Sequence, residues 1–108
     1  MDFEEKVKNA RKHFKDFLLS EGRYIIGKYL GIKEVKVMGK TRILHLVENE
    51  KDGEIYQIWG TAVLDQIIQE EGINVGDRVG IKYLGKPEGK RYHDWLVMKD
   101  TEGDNGGS

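Results

Sequence analysis

A chain of 108 residues, 38% of them apolar, suits one compact domain with a thin core, such as a small barrel filled by one layer of side chains. The absence of cysteine excludes disulfides and thiolate metal sites, and the net charge of −1 by itself points to no partner. No apolar run approaches the ~20 residues of a membrane span and the first residues are charged, unlike a signal peptide, so a cytoplasmic, intracellular protein without membrane contact is expected.

Phe3, Val7, Ala10, Phe14 and Phe17 recur at steps of four and three, with Leu18 widening the stripe. That spacing predicts an amphipathic helix over residues 3–19, with Asp2 as N-cap and Gly22 as the stop. This N-terminal unit, residues 1–22, is expected to dock over an open end of the domain. Its two heptads of a/d pattern also invite self-association or a partner protein, although two heptads are short for an independent coiled coil.

From Tyr24 the period changes. "YIIGKYLGIKEVKV" reads as a long first strand bent at Gly27 and Gly31. "KTRILHLVE" is a second strand, "NEKDG" a hairpin turn and "EIYQIWG" a third strand. Thr61 then caps a helix, Ala62 to Glu71, with Val63, Leu64, Ile67 and Ile68 on one face. "GDRVGIKYLG" is a fourth strand, "KPEGK" a loop and "RYHDWLVM" a fifth strand. Residues 100–108 are acidic and glycine-rich and are expected to be disordered. Residues 23–99 are thus mainly β, and five strands with a helix between the third and fourth is the layout of the OB-fold, a partly open Greek-key barrel. An SH3-type barrel competes, but lacks a three-turn helix at that point.

Charge is unevenly placed on this plan. Arg23–Arg42 holds six basic residues and one acid, and Arg78–His93 holds five against Glu88. Leu44–Asp77 carries eight acids and one lysine. In an OB-fold both basic segments converge on the face of strands two and three and the loops joining strands 1–2 and 4–5, where oligonucleotides bind. A basic groove there would bind phosphates by counterion release. Lys28, Lys36, Lys40, Arg42, Lys82, Lys86, Lys90 and Arg91 are the candidate phosphate contacts. Edge protection against aggregation is the bland reading of strand lysines.

Stacking platforms should accompany the cations, because every base offers a π-face. On the third strand Ile55, Gln57 and Trp59 share one face, the expected outer one, and Tyr56 and Ile58 the other. Trp59 is therefore the leading platform, with Gly60 leaving room beside it; core packing is the alternative. Tyr92, beside Lys90 and Arg91, is expected to stack and Trp95 to pack. Tyr83 is a further stacking candidate, although its alternation with Val79 and Ile81 also suits an inward side chain. His45 and His93 are expected to be hydrogen-bonded strand residues, since no cluster has metal spacing.

"IWGTAVLD" followed by "INVGDRVGIKYLG" resembles replication protein A-like and archaeal single-stranded DNA-binding OB domains. The run from "GKYLG" through "IKYLGK" to "YHDW" resembles small single-stranded DNA-binding proteins of bacteriophages and related viruses. The resemblance spans roughly residues 24–98. It implies binding of single-stranded DNA without sequence preference, in replication, recombination or repair. In the archaeal-type domains the tryptophan of the Trp-Gly pair stacks on a base, which carries over to Trp59. The tail lacks the hydrophobic tip by which bacterial-type proteins recruit partners. An RNA-binding OB module and a protein-interaction adaptor are the other classes. An enzyme is not expected: there is no Walker-type loop, no Cys nucleophile, and Ser20 and Ser108 are poorly placed for a triad. No cofactor or metal is expected.

Overall fold

The computed structural model describes residues 14–101. They form strands β1 (Lys15–Asp16), β2 (Tyr24–Val37), β3 (Lys40–Asn49) and β4 (Ile55–Trp59), helix α1 (Ala62–Glu70), and strands β5 (Arg78–Gly85) and β6 (Asp94–Lys99). The alternation that predicts each strand also sets its faces. Ile25, Tyr29, Val47, Ile58, Val79, Ile81, Tyr83, Trp95 and Val97 turn inward and are buried.

The strands make one curled sheet in the order β1-β4-β3-β2-β5-β6. All neighbours are antiparallel except β1, which runs parallel to β4 with Lys15 opposite Tyr56 and Asp16 opposite Gln57. β2 is the spine, because residues 24–28 pair with β5 and residues 27–37 with β3. The crossover lies at Gly27, paired with both Asn49 and Val79. A Cβ there would fall 1.8 Å from the Glu48 carbonyl oxygen, so only glycine admits that approach. Gly31, at φ 108°, accompanies a bulge between Tyr29 and Gly31 that bends the strand further.

Helix α1 is held where the sequence predicts. The Thr61 side chain accepts a hydrogen bond from the Leu64 N–H at 3.2 Å. Leu64 and Ile68 are buried, and Val63 and Ile67 pack beside them on the core.

Two expectations need correction. The described chain has six strands, not five. And whereas residues 3–13 of the predicted N-terminal helix lie outside the described residues, its last turns are not helical: Lys15–Asp16 form β1, and Phe17 is buried against Trp95 with ring centroids 6.1 Å apart. The backbone of this segment meets the edge of β4, where the Phe17 N–H donates to the Gln57 carbonyl at 3.0 Å. Pairing with a strand edge satisfies these backbone groups and still buries Phe17, which a helical turn cannot do in that place. Leu18, expected to widen the apolar stripe, is exposed, as is Leu19. The tail from residue 102 also lies outside the described residues. Among the described residues no helix is long and apolar enough to cross a membrane.

Candidate nucleic-acid interface

Trp59 ends β4 opposite Leu44, which in turn faces Lys33 on β2. Its neighbour Ile58 is fully buried, so the indole stands on the outer face, where it is 37% exposed. The Arg42 guanidinium lies 5.4 Å from the indole centroid, a cation–π contact. Leu19, Val37, Arg42, Trp59, Thr61 and His93 line one concavity of about 380 Å³. That volume is within the range of small-ligand pockets, about 300–1,000 Å³. The walls come from the segment after β1, the β2–β3 hairpin, the end of β4, the cap of α1 and the loop before β6.

The support beneath Trp59 is polar and satisfied. The Gly60 N–H donates to the Ile43 carbonyl at 2.7 Å. Directly beside it, Asp65 Oδ1 lies 2.6 Å from His45 Nε2, and His45 Nδ1 lies 2.9 Å from the Tyr29 hydroxyl. A carboxylate only accepts, so Nε2–H donates to Asp65 and Nδ1 is left to accept from Tyr29. His45 is 4% exposed, and this chain links β2, β3 and α1 through it. Burial, and secondarily the Asp65 charge, push the Tyr29 hydroxyl above its ordinary pKa.

The far wall has its own support. The Tyr83 hydroxyl and His93 Nδ1 are 2.7 Å apart, and the Trp95 indole N–H donates to the Thr61 hydroxyl at 3.1 Å. His45 and His93 are thus both hydrogen-bonded, although His93 precedes β6 rather than lying in a strand. Among the described residues no group of three or more His, Asp and Glu could hold a metal ion.

The predicted site residues divide into three sets. Trp59 and Arg42 line the cavity, and Lys40, opposite Val37 at the hairpin end, shares their face. Lys86, Lys90, Arg91 and Tyr92 are exposed on the loop that ends at His93. The remaining four need correction. Tyr83 is 6% exposed, packed edge-on to Trp95 at 5.0 Å, and cannot stack on a base. Lys36 pairs with Thr41 on the face opposite Trp59, because the bulge inverts the alternation of β2. Lys28 and Lys82 lie opposite Arg78 and Tyr24, on the β2–β5 part of the sheet and away from the cavity.

Sequence reasoning missed Lys33, Val37, Thr61, His93 and Leu19. Thr61 was visible only as a cap, and His93 only as a strand residue. Lys33 was legible as part of a basic run but needed the bulge to be placed on the Trp59 face.

No protein-family description, curated protein or solved structure matches this chain.

Proposed function

We propose that the chain is a single-stranded DNA-binding domain of OB type that grips its ligand without sequence preference and performs no catalysis. The observation that carries this reading is the half-exposed Trp59 indole, braced by Arg42, in a concavity bordered by the β2–β3 hairpin and the β5–β6 loop. The strand order β4-β3-β2-β5-β6, with α1 between β4 and β5, supports the OB assignment. A base would stack on the indole face that Arg42 leaves open. Phosphates would run along Lys33, Lys40 and Arg42 on one side and Lys86, Lys90 and Arg91 on the other. The phage-like resemblance of residues 24–98 fits a role in replication, recombination or repair.

The same groove would accept RNA, and the test separates the two. Fluorescence anisotropy with labelled oligo-dT, oligo-U and duplex DNA, at two salt concentrations, should rank single-stranded DNA first. Trp59→Ala should cost about 1–3 kcal/mol, roughly ten- to a hundredfold in Kd. Unchanged affinity in that variant overturns the stacking assignment. Salt-independent or absent binding overturns the nucleic-acid reading and leaves a protein adaptor.

A further inference from the structure

The outer face of β2, β5 and β6 carries a second feature that nucleic-acid binding does not use. In register across the three strands lie Tyr24, Lys82 and Leu96, and next to them Ile26, Gly80 and Met98. Their sequence neighbours Ile25, Ile81 and Val97 point into the core, so this row points out. Tyr24, Leu96 and Met98 are 53%, 45% and 63% exposed. A solvated sheet face ordinarily carries polar residues at these positions, and contiguous exposed apolar surface marks an interaction site.

The surface is also shaped. Gly80 has no side chain, and a Cβ built there would meet only the Ile26 Cγ1 at 3.8 Å. The hollow above it holds about 170 Å³, and Lys82 is the one charged residue in its lining. Lys51 reaches the Tyr24 ring at 5.4 Å, and Lys28 lies one row beyond Ile26. Among the described residues no ion pair engages Lys28, Lys51 or Lys82. Arg78 close by is, in contrast, already tied to Glu50 and Asp100.

We propose that this face docks a protein segment in which a bulky apolar side chain is flanked by carboxylates. The apolar side chain fills the hollow over Gly80 between Ile26, Leu96 and Met98. The carboxylates meet the ammonium groups of Lys82, Lys28 and Lys51, none of which is in an ion pair among the described residues. An apolar hollow ringed by cations complements a segment that carries both carboxylates and a bulky apolar side chain, whereas a phosphate backbone would meet the cations and leave the hollow unfilled. The residues involved are disjoint from those lining the Trp59 cavity, so the domain would hold a strand on one face and a protein on another.

The test is anisotropy of a fluorescein-labelled hexapeptide, Asp-Glu-Leu-Phe-Asp-Glu, titrated with the full chain. Control peptides replace Leu-Phe by Ala-Ala, or the four acids by lysine. The acidic apolar peptide should bind and the controls should not. Gly80→Val fills the hollow without a backbone clash and should weaken binding about tenfold or more, as should Lys82→Glu. Oligo-dT binding by Gly80→Val should stay at the parental level, which separates this surface from the strand-binding groove. If Gly80→Val folds poorly, Met98→Glu at an exposed position makes the same test. Failure of the acidic apolar peptide to bind, equal binding of the lysine peptide, or indifference to Gly80→Val and Met98→Glu overturns the proposal. So does self-association in sedimentation that either variant abolishes, because the occupant is then a second copy.

Discussion

Gly60→Ala isolates what holds Trp59 in place. Gly60 has an ordinary backbone conformation, absent from the positive-φ positions, so alanine meets no dihedral penalty there. What it meets is space already filled. The new Cβ would lie 2.6 Å from Asp65 Oδ1 and 2.9 Å from the Ile43 carbonyl oxygen. The first of these is the same oxygen that receives the His45 hydrogen bond, and the second accepts the Gly60 N–H. Relief therefore requires Asp65 to leave His45, or β4 to part from β3. Overpacking of this kind costs about 1–3 kcal/mol. Stranding the buried His45 donor adds about 1–3 kcal/mol. The sum, about 2–6 kcal/mol, is a large part of the stability of a domain this size, about 5–15 kcal/mol.

Urea unfolding followed by tryptophan fluorescence reads it. Taking about 4 kcal/mol and an m-value of about 2 kcal/mol/M, the midpoint should fall by roughly 2 M. The double variant Gly60→Ala/Asp65→Ala should cost less than the sum of its parts, because the Asp65 collision and the loss of the same hydrogen bond are then counted once. A Gly60→Ala unfolding free energy within about 0.5 kcal/mol of the parent refutes the reasoning, since that is the range of an exposed substitution touching nothing.

Other measurements reach other parts of the molecule. The triple variant Lys33→Ala, Lys40→Ala, Arg42→Ala should flatten the log Kd against log salt slope for oligo-dT by about 2, at about 0.7 for each phosphate no longer neutralised; Lys28→Ala with Lys82→Ala should leave the slope unchanged. Phe17→Ala should destabilise by about 3–5 kcal/mol in urea, because it empties a buried position against Trp95. Tyr29 has its folded-state pKa raised above the ordinary 10.0, so its contribution to stability is whole below that pH and lost as pH rises through the folded value. Stability should thus fall with pH on the alkaline side, and Tyr29→Phe should remove that component from a pH series of urea midpoints. At the acid end, Glu50 is held low chiefly by the Arg78 guanidinium, and Asp77 chiefly by the Asn74 backbone N–H. Their contributions are present above the unfolded carboxylate range and lost as pH falls through the folded values.

Much of the strand plan was legible because periodicity and turn chemistry agree. Tyr24–Val37 and the Thr61 cap fall where the sequence places them, and Ile58 against Trp59 follows from simple alternation. The N-terminal segment was not legible, because a phenylalanine spaced for a helix face is equally well placed to plug a core from an extended chain. Phe17 does the second, and only the free edge of β4 decides it.

The distribution of lysines shows the same limit at finer scale. Counting by twos from Lys28 puts Lys36 on its face and Lys33 on the other. The observed register pairs Tyr29 with Val47 but Gly31 with Leu46, so Leu30 is an extra residue and the alternation inverts beyond it. Lys33 and Val35 then share a face with Arg42 and Trp59, while Lys36 turns to the opposite side. One inserted residue thereby brings Lys33 onto the outer face with Lys28 and turns Lys36 away from it; position along β2 then places Lys28 by the apolar hollow over Gly80 and Lys33 by the indole. Deleting Leu30 should remove the bulge and leave Val35 opposite Arg42, so Lys33, Val37 and Arg42 should keep their places beside Trp59 while β2 loses its bend.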